Sequence, residues 1–203
     1  MNRRIATSLL CAGFFFYSQS ASALFKGYVG AGYTKGDLEL DTNAALSEVD
    51  LDGIKYAGGF YLQPIPLVPV GIGASAEFGD FGDEDGLDER KLYALRPELT
   101  AWLPLVKIKK FKPFIKLGYT LGWIKLEGGG SDLDLKYDGL HASIGAAYSP
   151  LPFLEVLLQY QVGFEKAEVS ELSLSGVTSS VLNDGDEGDY KNQAILIGVQ
   201  AGI

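Results

Sequence analysis

Apolar and polar residues alternate with period two along most of the chain. From Val70 to Phe78, the residues Val70, Ile72, Ala74, Ala76 and Phe78 share one parity, while Gly71, Gly73, Ser75 and Glu77 share the other. The same alternation runs through "IKYAGGFYL", "YALRPELTAWL", "IKLGYTLGW", "LHASIGAAY", "VLLQYQVGF" and "AILIGVQAGI", with Pro97 the one misfit. Side chains of a strand point alternately to its two faces, and no sustained 3.6-residue period competes. With "FKGYVGAGYT" near the start, the pattern predicts eight strands.

Their connections alternate between short and long. The short ones bear proline: "QPIPLVP" at 63–69, "PLVKIKKFKP" at 104–113 and "SPLPF" at 149–153. The long ones, expected as loops over 36–50, 79–90, 127–139 and 165–189, hold 22 of the 26 acidic residues. One end of the sheet is therefore acidic, while the other carries Lys107, Lys109, Lys110 and Lys112. This rhythm predicts an all-β fold, an eight-stranded antiparallel up-and-down barrel.

Such a barrel has two possible polarities. A soluble calyx turns its apolar face inward around a ligand, whereas a transmembrane β-barrel turns it outward to lipid. Side-chain size favours the second. The polar face carries Gly30, Gly32, Gly59, Gly71, Gly73, Gly118, Gly122, Gly145, Gly163, Gly198 and Gly202. These suit the narrow interior of eight strands but would only weaken a solvent-facing surface. The apolar face places Tyr33, Tyr56, Phe78, Tyr93, Trp123 and Phe164 near the long-loop ends, and Phe25, Phe60 and Tyr148 near the short-turn ends. Two aromatic girdles flanking an apolar band are a membrane-barrel feature.

The N-terminus agrees with export. Arg3 and Arg4, the apolar run "IATSLLCAGFFFY" and Ala21-Ser22-Ala23 form a secretory signal peptide over residues 1–23, leaving 24–203 as one barrel domain. The apolar run is shorter than the ~20 residues of a spanning helix. Cys11 leaves with the leader, so thiol chemistry has no place in the mature chain. Loss of Arg3 and Arg4 makes the net charge of −9 more negative, which excludes nucleic acid as a partner.

Parity puts Lys55, Glu77, Arg96, Glu98 and Lys116 on the lumen face of four successive strands, each acid beside a base. A dry interior makes unpaired charge expensive, so these residues are expected to form a salt-bridge network. That network is read as a polar plug that holds the barrel rigid. A gate or conduction path is the alternative.

At this point the chain resembles the small outer-membrane β-barrels typified by the transmembrane domain of outer-membrane protein A and by opacity-type surface proteins. The resemblance covers the mature chain and lies in its architecture. It implies a bacterial outer-membrane location with periplasmic termini, extracellular long loops, and assembly-machinery recognition of the C-terminus. Such proteins usually end in an aromatic residue, whereas this chain ends "VQAGI" at Ile203.

Enzymes occur on this scaffold, so the single histidine is weighed. His141-Ala142-Ser143 looks like the His-x-Ser pair of outer-membrane lipid A deacylases. Parity, however, turns both toward the lumen, away from lipid, and a polar lumen pair is the preferred reading. "DEDGLDE" at 83–89 and "DGDEGD" at 184–189 offer oxygen ligands, but neither has EF-hand spacing. The expectation is therefore a non-enzymatic protein without cofactor or specific metal, with a structural or surface-interaction role. Its expected partners are outer-membrane lipid and lipopolysaccharide, with divalent cations as bridges. A narrow porin-like conduit is the runner-up and a lipid A-modifying enzyme the third reading.

Overall fold

Among the described residues of a computed structural model there are nine strands: β1 (Phe25–Leu40), β2 (Glu48–Asp50), β3 (Gly53–Leu62), β4 (Val70–Asp80), β5 (Glu89–Trp102), β6 (Phe111–Gly128), β7 (Ser131–Leu151), β8 (Leu154–Leu174) and β9 (Glu187–Gly202). The structure describes residues 25–40, 48–64, 68–82, 89–103, 110–128, 131–151, 153–174 and 187–202. The leader with Cys11, the loop centres at 41–47, 83–88 and 175–186, Lys107, Lys109 and Ile203 lie outside the described residues. Every neighbouring pair is antiparallel, and β1 pairs with β9 to close the sheet on itself. Thr34 pairs with Gly53 and Asp37 with Asp50, so β2 and β3 follow one register along β1. β2 is the outer continuation of β3, and the barrel has eight staves.

Closure is staggered. Stepping through paired residues from Val29 leads by Gly58, Ala76, Leu95, Leu121, Asp138, Lys166 and Asp189 to Glu39, ten residues further along β1. A stagger of this kind tilts the strands and sets the bore, which for eight strands side chains can fill. Pro97 interrupts the β5–β6 ladder, which passes from Leu95↔Leu121 directly to Glu98↔Gly118, because proline has no N–H to donate.

Below a line of outward aromatics, the exterior is apolar and the lumen polar, with Ile72, Leu99, Leu117, Ile144 and Ile197 exposed and Lys55, Glu77, Arg96, Glu98 and Lys116 buried. Tyr56, Phe78, Tyr93 and Trp123 pair strand to strand along that line. Beyond it the polarity reverses. Outward positions become charged, in a repeated order of aromatic, lysine, acid at steps of two residues: Tyr33, Lys35, Asp37 on β1; Tyr93, Lys91, Glu89 on β5; Trp123, Lys125, Glu127 on β6; Phe164, Lys166, Glu168 on β8. Lys136 on β7 and Lys191 on β9 continue the lysine row. Inward positions become apolar, and Leu38, Leu51, Leu92, Ile124, Leu135 and Val169 pack into one core with Tyr137 and Tyr190.

This reversal corrects the expected loops. Residues 36–40, 131–139, 165–174 and 187–189 are strand, and Arg90, assigned to a loop, is buried, its guanidinium donating to the carbonyls of Gly82, Asp50 and Phe81. Tyr33, Trp123 and Phe164 consequently sit well inside β1, β6 and β8, where the exterior changes character, while Phe78 stays two residues from the end of β4. The charged residues that read as loop are the outer face of strands that have left the apolar zone, where an ordinary inside-apolar barrel is the stable arrangement.

Candidate functional site

The lumen is stacked in storeys. At the base, beside the short turns, Glu155 gathers four donors: Lys26 Nζ at 3.1 Å, Lys112 Nζ at 2.6 Å, Gln200 Nε2 at 2.7 Å and Ser149 Oγ at 3.2 Å. Above them Tyr28 and Tyr61 stack at 5.6 Å, Trp102 meets Tyr61 edge-on at 6.3 Å, and Phe114 and Leu157 complete an apolar layer.

The charged storeys come next. Glu98 accepts hydrogen bonds from Tyr61 Oη and Ser75 Oγ, each at 2.6 Å, with His141 Nε2 at 3.3 Å and Lys116 Nζ at 3.9 Å. The Lys116 ammonium lies over the rings of Tyr28, Tyr61 and Phe114 at 4.4, 4.8 and 5.3 Å, a cation–π box that partly replaces its lost water. One storey further out, Glu77 pairs with Lys55 at 2.8 Å and with Arg96, and Gln161 bridges Lys55 and Glu77. Arg96 Nε donates to Thr120 Oγ1 at 2.9 Å, Thr120 donates to Glu165 at 2.8 Å, and Asn192 donates to the other Glu165 oxygen at 2.6 Å. Tyr137 and Tyr190, edge-on at 5.1 Å, open the apolar core above.

Glycine makes room for this filling. A Cβ on Gly59 would strike the Tyr28 ring, one on Gly145 the Phe114 ring and one on Gly122 the Tyr137 ring. Large side chains from one strand thus lie flat over glycines of the next, which a bore this narrow requires.

All five lumen residues singled out by parity are buried, in two separate groups and not one continuous network: Lys55, Glu77 and Arg96, then Glu98 and Lys116. Parity had not extended to Glu165, because it fell in a presumed loop, nor to Lys26, Lys112 and Glu155 at the base. Continuing the alternation of "VLLQYQVGF" by one residue in each direction reaches Glu155 and Glu165. His141 and Ser143 are not joined: His141 faces Glu98, and Ser143 accepts from Gln159 Nε2 at 3.3 Å. Of the girdle aromatics, Tyr33, Tyr56, Phe60, Tyr93, Trp123, Tyr148 and Phe164 are exposed on the exterior, and Phe78 lies between Tyr56 and Tyr93, stacked at 6.4 Å and tilted at 5.3 Å. Among the described residues no group of His, Cys, Asp and Glu has the makings of a metal site.

A family model for the outer membrane protein β-barrel domain matches residues 7–201. The chain belongs to that family. Solved barrels share the architecture of this outer-membrane protein. Neisserial surface protein A superposes with a TM-score of 0.60 at 14% identity, covering 90% of this chain and 99% of that one. OprG from Pseudomonas aeruginosa gives 0.51 at 14%, covering 88% and 96%. AlkL, solved by solid-state NMR in DMPC bilayers, gives 0.52 at 9%, covering 88% and 90%. At these identities the likeness is one of fold. No curated protein matches the chain by sequence. The family places the protein in the bacterial outer membrane, so the apolar exterior band meets acyl chains and the polar storeys are sealed from them.

Proposed function

We propose that the protein is a closed, non-enzymatic barrel that serves the outer membrane structurally and presents its acidic rim, at the long-connection end, to partners outside the cell. The observation that carries this reading is the sequence of storeys. Packed apolar layers lie both below and above the ion pairs, with Tyr61 and Phe114 2% exposed on one side and Leu135 and Ile124 0% on the other. Water-filled conduction needs a continuous polar path, and here the fully buried charges pair with one another between those layers. A hydrolytic role for His141 lacks support in the geometry, since a nucleophile and its base must lie within hydrogen-bond reach and both must meet substrate. Lipopolysaccharide of the outer leaflet is the nearest anionic partner for the rim, with divalent cations offsetting like charge.

Reconstitution into planar bilayers tests the proposal. The expected result is a silent membrane at protein densities where a known porin gives steady openings. Steady openings abolished by Glu77→Ala or Arg96→Ala would replace the plug with a conduit, and lipid A deacylation lost on His141→Ala would replace it with an enzyme.

A further inference from the structure

Six lysines, Lys35, Lys91, Lys125, Lys136, Lys166 and Lys191, stand on six of the eight staves immediately beyond the apolar band, all with outward parity. On four of these staves the lysine follows an outward aromatic by two residues, the step that brings the next side chain to the same face. The tilt that accompanies the closing stagger brings lysines of neighbouring staves level, so they form a row around the barrel at the apolar–polar boundary. On each of those staves an acid lies one step further out, and β7 also carries Asp138 one step nearer the band, in register with Lys166 and accepting from the Tyr119 hydroxyl.

Half of the row is already engaged. Lys35 pairs with Asp52 at 3.8 Å, Lys125 with Asp134 at 3.5 Å, and Lys91 with Glu89. The other half stands on adjacent strands. Lys136, Lys166 and Lys191 face Glu168, Asp189 and Asp37 in register, yet none of the three makes an ion pair among the described residues. They are exposed cations on a chain of net charge −9.

From this we infer that Lys136, Lys166 and Lys191 form a docking site for the phosphate groups of outer-leaflet lipid, the phosphorylated glucosamine headgroup of lipid A. Three points argue for this occupant. The row lies where headgroup phosphates begin, just past the aromatics that mark the end of the acyl region. An acidic rim alone would repel an anionic leaflet, and a basic row between rim and bilayer offsets that repulsion where it is strongest. The three free lysines span neighbouring staves, so one diphosphorylated headgroup can meet more than one ammonium. The inference rests on the membrane reading and on the rim facing outward.

The test uses the whole mature protein in phosphatidylcholine nanodiscs that contain a minor fraction of either diphosphorylated lipid A or its phosphate-free counterpart. Lipid retained by the purified barrel is counted by native mass spectrometry. Wild-type protein is expected to prefer the phosphorylated form by roughly tenfold or more at low salt, the preference falling as salt rises. The triple variant Lys136→Gln, Lys166→Gln, Lys191→Gln should lose it. The corresponding triple arginine variant, and Lys110→Gln at the opposite end, should keep it. Equal preference in wild type and triple glutamine variant would overturn the inference. So would a preference that EDTA removes from both proteins alike, which would assign the contact to cation bridges. Failure of wild type to insert, judged by heat-modifiable gel migration, would overturn the membrane reading itself and the inference with it.

Discussion

Glu77 illustrates how a carboxylate survives inside a barrel too narrow for water. Its two oxygens meet Lys55, Arg96 and Gln161, three donors from three strands, so the desolvation cost of each charge is offset by the others. Removing one member leaves the rest uncompensated. Glu77→Ala is expected to lower the unfolding free energy in urea-titrated lipid vesicles by about 3–5 kcal/mol, against less than about 0.5 kcal/mol for the exposed Lys136→Gln. Glycine positions divide just as sharply. A Cβ on Gly32 would run into the Ile195 carbonyl across the closing β1–β9 seam, whereas one on Gly58 meets only Tyr28 O at 3.6 Å and a Val29 methyl at 3.8 Å. Gly32→Ala should therefore cost about 1–3 kcal/mol in the same assay, and Gly58→Ala close to nothing.

The longer strands carry two opposite patterns joined end to end. On β6, Leu117, Leu121 and Trp123 are exposed, and Lys116 and Thr120 buried. Directly after Trp123, Ile124 and Leu126 are buried and Lys125 and Glu127 exposed. The period of two does not break along β6, so what changes is the solvent on each side. Cysteine substitution on a Cys11→Ser background, in the outer membrane of intact cells, gives a direct reading, because the chain then has no competing thiol. Lys125→Cys is expected to label with a water-soluble maleimide, while Trp123→Cys, in the bilayer, and Ile124→Cys, in the upper core, should not. Labelling of Ile124→Cys would mean that the upper core is open to water.

For the barrel taken together, two apolar layers enclose a charged middle, and an apolar belt encloses that middle from outside. Closure, plugging and membrane residence are therefore one design: the bore that eight staves allow is filled by side chains that no other environment would accept. Alternation, strand number and which face takes glycine and charge were legible in the chain, because each depends only on residues two apart. The same local rule identified Lys55, Glu77, Arg96, Glu98 and Lys116 as lumen residues. It misread the charged stretches beyond the aromatics as loop, because an outward Asp or Lys looks alike on a strand and on a turn, and only the buried Leu38, Leu135 or Val169 beside it tells them apart. Partnership between strands far apart in the chain lay beyond any local rule. Lys26 meets Glu155 across 129 residues of chain, and Lys55 meets Gln161 across 106. Those meetings depend on the ten-residue stagger at closure, which fixes the heights of opposite strands, and a stagger is a property of the closed sheet that no single strand contains.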